Sequence, residues 1–548
     1  MSSHFRWYPA ESEVVVPWNA RYSFPSQANK AIKMTPRIPP KNAQEFSPGN
    51  VIRLEFPAQG YVNPGKTTLE FDAQILYTFL DSTDRTAIRF QNNIQSMFSR
   101  VRLLYGSTPL EDIPNYNVIV RALTEWTGAD ALGADQTSIS DGIGGVTPST
   151  SGGVNLVTAG GLQGVPQLCN VRQKYIHGLD SRGTGADVTT APGFGSVPNG
   201  TTPNATFASI LGINPIRRYQ VQLALGMLTQ EKLIPTKIMA SQLAIEITLA
   251  QPNECMYIGP GYLNATTAPT YKINNVNLIP EILEFDASYD ESFLRGLQSG
   301  GVPIKFATWN NFRFTASGAS TFNLQIQERS RSVKAIFALQ RRENGNFTRD
   351  GGASFFTTDI ASTSGGTTLQ DFQFRIGGRY FPAAPVQNSL STAASVSNGG
   401  VESYVELAKA LNILGNTQLS TNCNSSRWAL PPGGLDFQAA TTASNLSEYD
   451  YDLTLIGFKA NGTPVFKGIS SGTSSVSGDL GSSCFGMATD LETSNGLEIS
   501  GLNAEEQSDI SLLVRYSGTQ TTGMAYDVFT YIDSMIVLRE NNVLELIQ

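Results

Sequence analysis

The second half of this 548-residue chain repeats the plan of its first half. No sequence identity announces the repeat. It shows as ordered landmarks that recur roughly 250–290 residues apart, about half the chain. In each half a strand-like run ends in a Gly-to-Pro turn and a short helical pattern follows. A long low-charge loop comes next, and two strong apolar strands close the unit. In the first half the turn is Gly106 to Pro109, the helical run is Val118–Trp126, and the closing strands are Ser241–Leu249 and Val276–Phe285. In the second half the turn is Gly378 to Pro382, the helical run is Tyr404–Leu414, and the closing strands are Ser508–Tyr516 and Tyr526–Leu538. Two similar large β units in one chain point to a job of geometry rather than chemistry.

Length and composition agree. The chain accommodates two all-β units of about 200–250 residues each. Its 40% hydrophobic content lets each unit bury a sizeable core. Charged residues are only 15%, against roughly 25% for average soluble domains. Gly, Ser, Thr, Asn and Gln take their place, and uncharged polar groups cost less to desolvate in wide protein contacts. The net charge of −8 argues against a dedicated nucleic-acid binder, because phosphate binding needs clustered Lys and Arg. Neither a secretory signal nor an apolar run of membrane-spanning length is visible, so the chain reads as made in a cytosol-like compartment. Triplets such as Asn199-Gly200-Thr201 then follow from an Asn- and Thr-rich composition.

Three segments are expected. Residues 1–47 read as an extended arm, in which Phe5, Trp7, Tyr8, Trp18, Tyr22 and Phe24 interleave with Arg6, Arg21, Lys30, Lys33, Arg37 and Lys41. Prolines prevent regular structure over most of it. Such an arm straps its own body or grips a neighbour, since aromatic anchors with Arg compose interface hot spots, and its aromatic-basic interleaving also suits single-stranded nucleic acid or a membrane surface. Residues 48–290 read as the first β unit, with a Gly/Ser/Thr/Ala-rich insertion over 127–210, and residues 291–548 as the second. Val51–Phe56 and Leu69–Ile75 largely alternate apolar and polar, separated by an expected turn at Asn63-Pro64-Gly65-Lys66. A helix near Asp290–Leu297 is expected to connect the units. Short strands, turn chemistry and few helices predict sandwiches or barrels.

Motifs for chemistry are present only as letters. Gly60-Tyr61-Val62-Asn63-Pro64-Gly65-Lys66-Thr67 matches the phosphate-loop pattern. A phosphate loop must feed a helix N-terminus, yet Thr68–Ile75 alternates as a strand. Gly468-Ile469-Ser470-Ser471-Gly472 matches a nucleophile elbow, but no histidine follows it to act as base. His4 and His177 are the only histidines. Cys169, Cys255, Cys423 and Cys484 form no paired spacing and read as free thiols in a reducing compartment. The Gly142–Gly145 cluster lies in low-complexity sequence. The carboxylate pairs Asp490/Glu492 and Glu505/Glu506 could in principle serve a glycosidase, although such pairs occur in any chain. The sequence therefore predicts no enzyme and no catalytic, cofactor-binding or metal-ligating residues.

One resemblance gathers these features. Arg375-Ile376-Gly377-Gly378-Arg379-Tyr380-Phe381-Pro382-Ala383-Ala384-Pro385 is followed by the Tyr404 helix. Thr489-Asp490-Leu491-Glu492 leads to Ser500-Gly501-Leu502-Asn503, and Tyr531–Val537 makes a final strand. In this order, with the duplication and the chain length, they resemble the double jelly-roll major capsid proteins. That lineage takes in adenovirus hexons, tailless membrane-containing phages, virophages and polinton-like viruses, and the likeness is greatest to the last two. It covers roughly residues 48–548 and leaves the arm and the 127–210 insertion without a family pattern. It implies an all-β chain of two consecutive eight-stranded jelly rolls with short helices, long loops and an extended N-terminal arm. It further implies a homotrimer with a near-hexagonal footprint that tiles an icosahedral shell. Partners would be neighbouring capsomers and minor capsid or penton proteins, without sequence-specific nucleic-acid binding. Contact with a membrane under the shell is left open. The protein would be made in host cytoplasm and end in the virion. A β-sandwich spike or glycan-binding attachment protein is the alternative.

Overall fold

A computed structural model describes residues 31–76, 87–90, 94–127, 178–180, 216–258, 270–298, 301–342, 369–388, 400–414, 455–458, 464–466, 485–492, 500–505, 509–520, 523–539 and 544–547. Sixteen strands carry the architecture. In the first half these are β1 (Ala31–Met34), β2 (Val51–Glu55), β3 (Tyr61–Leu76), β4 (Phe98–Tyr105), β5 (Thr108–Pro114), β6 (Ile216–Val221), β7 (Leu243–Leu249) and β8 (Thr270–Phe285). In the second half they are β9 (Val302–Ala316), β10 (Thr321–Gln325), β11 (Val333–Arg342), β12 (Leu369–Ile376), β13 (Arg379–Gln387), β14 (Met487–Asp490), β15 (Ile510–Tyr516) and β16 (Met524–Leu538). Helix α1 (Tyr116–Thr127) follows β5, a single turn α2 (Gly226–Thr229) precedes β7, α3 (Ala287–Gln298) joins the halves, and α4 (Val401–Ala410) follows β13.

The strand order identifies the fold. One sheet of the first half runs β1-β8-β3-β6 and the other β2-β7-β4-β5. In the second half the sheets run β9-β16-β11-β14 and β10-β15-β12-β13. Adding eight to every label of the first pair gives the second, so the halves share one topology. Each is a jelly roll of two packed antiparallel sheets, and the chain is a double jelly roll. The landmarks of the sequence repeat are its fifth, seventh and eighth strands and the helix after the fifth.

Burial follows from alternation. In β7, Ile245 and Ile247 are buried while Glu246 and Thr248 are half-buried, the pattern of a strand with one face in the core. Phe71 meets Phe98 edge-on across the first core at 5.6 Å. In the second core the Tyr516 hydroxyl donates to Gln340 at 2.7 Å and also meets the Tyr526 hydroxyl. Strand β16 departs from alternation, because Met524 through Thr530 are all buried. A strand reads this way only when both of its faces are covered.

Three expectations can be set beside the described residues. The arm placed over 1–47 is, from Ala31 onward, the edge of the first sandwich. Ala31 to Met34 pair with Phe285 to Ile282, Ile38 bridges Leu278, and Glu45–Phe46 pair with Asn274 and Ile273. The prolines interrupt this edge without detaching it, as edge strands tolerate them. Residues 1–30 lie outside the described residues. The boundary drawn between 290 and 291 falls inside α3. The turn expected at Asn63-Pro64-Gly65-Lys66 is instead a bulge within β3. Register with β8 passes from Asn63 opposite Glu281 to Thr68 opposite Ile279, leaving Pro64 and Pro280 at one irregularity. Neither proline has an N–H for the ladder. Thr67 Oγ1 donates to the Asn63 carbonyl at 3.0 Å and Asn63 Nδ2 to Glu281 at 2.9 Å, which holds the bulge closed. Within the 127–210 insertion, Gly178–Asp180 pairs with Ala87–Phe90; most of the rest lies outside the described residues.

This placement of β1 yields a test. Removal of residues 1–40 should lower the melting temperature by roughly 5 °C relative to removal of residues 1–30, because β8 then loses an edge partner. Thermal unfolding of the two truncations against the full chain measures it.

Candidate functional site

The surface that covers the second face of β16 belongs to the first sandwich. Trp126, near the end of α1, is 1% exposed and stacks on Phe337 of β11 with ring centroids 5.6 Å apart. Phe337 in turn meets Trp309 of β9 at 5.5 Å, and Trp309 meets Tyr531 of β16 at 4.5 Å. This aromatic cluster joins the two jelly rolls into one hydrophobic core. Gly486 lies beneath it, and a Cβ there would come within 2.5 Å of the Trp126 ring.

Polar groups fix the alignment. Asn115, in the turn between β5 and α1, has φ of 51°, and Asn is among the residues that accept this conformation best. Its Nδ2 donates to Asn311 at 2.8 Å and to Asp527 at 3.2 Å. Asp527 also forms an ion pair with Arg341, and both side chains are buried. Removing one partner of such a pair leaves an uncompensated charge and costs about 3–5 kcal/mol.

At the edge of the seam, Glu111 of β5 is fully enclosed. It accepts from Gly226 N at 2.8 Å, Met227 N at 2.7 Å and Thr308 Oγ1 at 2.9 Å. One carboxylate thus ties the first sandwich's own α2 to strand β9 of the second. Burial dominates its titration and pushes the carboxyl up to about 7, against the pull of the three donors toward the charged form. The approach is close, since a Cβ on Gly226 would lie 1.8 Å from the Ala307 carbonyl oxygen. Sequence reasoning missed Glu111, Asn115, Gly226, Arg341 and Asp527. A lone Glu in a short strand and a Gly before an apolar run carry no signal until the partner half is in place.

The residues singled out for chemistry do not converge. The phosphate-loop letters form the β3 bulge, with no helix following. Asp490 ends β14 and accepts from Glu492 N at 3.0 Å. Glu492 is held by Lys334 at 2.9 Å and Ser500 Oγ at 2.7 Å. Glu505 pairs with Arg331 on the surface at 3.0 Å. Cys255 is buried and free, and burial raises its thiol well above the ordinary range. His4, His177, Cys169, Cys423, Cys484, Glu506 and the Gly142–Gly145 and Gly468–Gly472 segments lie outside the described residues. Among the described residues no three His, Cys, Asp or Glu side chains converge to hold a metal ion, and no helix is long and apolar enough to cross a membrane.

No protein-family model and no curated protein matches the chain by sequence. Among solved structures, the chain is similar to the quasi-atomic PBCV-1 virus capsid, at 9% identity and a TM-score of 0.46, covering 96% of this chain and 98% of that one. It is similar to the mavirus major capsid protein at 10% identity and a TM-score of 0.45, with 98% and 96% covered. The Faustovirus major capsid protein matches at 8% identity and a TM-score of 0.46, with 96% and 93% covered. The assignment of a double jelly roll rests on the strand order above.

Two outcomes test the seam. Gly226→Ala should destabilise the chain by about 1–3 kcal/mol or more, because the added carbon meets backbone rather than a side chain that can move; denaturant unfolding measures it. Glu111 supplies a pH dependence. In the unfolded chain a Glu titrates near about 4.3, whereas the folded group holds its proton up to about 7. Between these values the folded state binds the extra proton, so this group's contribution to stability falls as pH rises through the window. Glu111→Gln removes the titration. The stability difference between wild type and Glu111→Gln should therefore shift toward the variant as pH rises from about 5 to about 7, read from denaturant midpoints.

Proposed function

We propose that this chain is a viral major capsid protein that assembles as a homotrimer and tiles an icosahedral shell. The observation that carries the reading is the seam. Two jelly rolls of identical topology are welded by a buried aromatic cluster, a buried ion pair and an enclosed carboxylate into one rigid unit. Two packed sandwiches per chain and three chains per ring give six similar blocks, and rotational closure makes such rings a common assembly. Six blocks present a near-hexagonal outline that fills a plane without gaps. The sequence resemblance leads to the same reading, and the low charge of the chain suits wide contacts between units.

In this reading the chain divides into a segment ahead of Ala31, a first jelly roll that ends within α3, and a second that runs to the C-terminal strands. Residues ahead of Ala31 and the 127–210 insertion are available for contacts with neighbouring capsomers and minor capsid or penton proteins. The protein turns over no substrate, is made in host cytoplasm and works in the virion.

The test is the solution mass of the purified full chain by light scattering, with negative-stain images of the same peak. A mass near three times 59.1 kDa with a hexagonal outline is expected. A monodisperse monomer at every concentration, with no tendency to assemble, would overturn the reading.

A further inference from the structure

One cluster of reactive side chains lies apart from the polar contacts of the seam. It gathers where β11, β14 and β16 meet the turn at Ser500-Gly501. Strand β11 pairs with β16 on one side and β14 on the other. Its register with β16 passes from Val333 opposite Ile532 to Ala335 opposite Tyr531, so Lys334 is the extra residue of a bulge. A bulge re-aims the side chain it carries. Here Lys334 Nζ lies 5.5 Å from the centroid of the Tyr531 ring, 2.9 Å from Glu492 Oε1 and 3.9 Å from Asp533 Oδ1.

Backbone contacts fix the pieces. Leu491 N donates to the Lys334 carbonyl at 2.8 Å, which sets Glu492 beside the amine. Asp533 N donates to the Ser332 carbonyl at 3.0 Å, and Val333 and Leu502 exchange bonds of 2.8 Å. Gly501 is pressed against β11, where a Cβ would come within 2.5 Å of the Val333 carbonyl carbon. The side chains of Lys334, Glu492 and Asp533 are 24%, 16% and 14% exposed, so solvent competes weakly for them.

The two carboxylates are held differently. Burial raises the Glu492 carboxyl, but the bonds from Ser500 Oγ, at 2.7 Å, and Lys334 outweigh it and leave the group below the usual carboxylate range. Glu492 is therefore charged and able to take a proton. Asp533 presents one oxygen to Lys334 and gives the other to two donors. Ser332 Oγ donates to Oδ2 at 2.6 Å and Ser500 N at 3.3 Å, while Gly501 N donates to the Ser332 hydroxyl at 3.0 Å and fixes it. Donors on Oδ2 polarise the Asp533 carboxyl carbon and stabilise the negative charge that gathers on that oxygen when the carbon is attacked. The cluster thus holds an amine, a base in contact with it, and a carboxyl carbon beside fixed donors, which are the parts an acyl transfer to nitrogen requires.

We propose that Lys334 and Asp533 join in an isopeptide bond, with Glu492 as the proton carrier. The Lys334 ammonium passes a proton to Glu492, and the freed Nζ lone pair attacks Asp533 Cγ. The Nζ–Cγ bond forms and the Cγ–Oδ1 bond breaks. Oδ1 leaves as water with two of the ammonium protons, one of them by way of Glu492, and the third remains on the amide nitrogen. Ammonium and Asp533 carboxylate are consumed together, Glu492 ends as it began, and no oxidant or other reactant enters. Burial favours the neutral amine, but the bond to Glu492 and the charges of Asp533 and Glu492 outweigh it and hold Lys334 above its usual range. The ion pair is therefore the starting state, and the reaction is a slow event that each chain undergoes once, after folding has assembled the cluster. Its product ties the two central strands of the β9-β16-β11-β14 sheet by a bond that reducing conditions leave intact.

The experiment is the intact mass of the denatured full-length chain, followed over days after purification, with peptide mapping of the product. Wild type should become lighter than its sequence by one water, and its digest should contain a branched peptide that joins the segment around Lys334 to the segment around Asp533. Lys334→Ala and Asp533→Ala should keep their full mass. Asp533→Asn should instead lose one ammonia, because an amide can be displaced at the same carbon. Glu492→Gln keeps the amine and the carboxyl and should form the bond more slowly by about tenfold or more. A wild-type chain that keeps its full mass, or that loses water without the branched peptide, would overturn the proposal and leave these side chains as an ion-pair cluster. Wild type alone decides the outcome, so a variant that fails to fold does not blunt the test.

Discussion

A carboxylate sealed between two domains is tolerable only if donors on both sides are fixed in advance. Glu111 meets this condition through two backbone N–H groups of α2 and one hydroxyl of β9. The condition runs outward through the molecule. For α2 to present its amides, Gly226 must lie against the Ala307 carbonyl with no side chain between them. For Thr308 to stand opposite, β9 must hold its long pairing with β16. The relative placement of the sandwiches is therefore set by the geometry of a few donors, while the aromatic cluster of Trp126, Phe337, Trp309 and Tyr531 supplies the buried area.

The two halves share a topology and differ in what their equivalent faces are made of. The outer face of the second sandwich carries Trp309, Phe337 and Tyr531; the matching face of the first carries Glu70, Asp72 and Glu281 beneath cations. A contact formed once, during folding of a single chain, can be apolar because it is never exposed to competing partners. The face of the first sandwich instead turns the cations Lys33, Arg37, Lys66 and Arg218 toward solvent over its carboxylates.

The sequence made the repeat, the jelly-roll strands and the helices legible because these depend on local periodicity and on order along the chain. Val276–Phe285 and Tyr526–Leu538 were readable as closing strands from their apolar runs alone. The edge pieces of β1 were not, because Pro36, Pro39 and Pro40 look like an unattached arm until β8 is present to pair with. Pro64-Gly65 reads as a turn for the same reason, since only the register around Pro280 shows the same strand resuming its pairing at Thr68. The seam was invisible. Its polar members are single residues from distant strands, and nothing in the spacing of Glu111, Thr308, Asp527 and Arg341 marks them as neighbours. What could have been read is the run from Met524 to Phe529, apolar but for Asp527, whose two alternating faces both call for cover.

The shared irregularity at Pro64 and Pro280 reaches beyond local geometry. Strands β3 and β8 are each 16 residues long, and a pairing of that length could slide by two residues and still keep apolar side chains inward. Two prolines within one break in the pairing remove that freedom. In any slipped alignment each proline would be set opposite a carbonyl that needs a donor, so one mismatch would become two. The break works as an alignment key, through which the longest ladder of the first sandwich specifies its own partner before the rest of the sheet has closed around it.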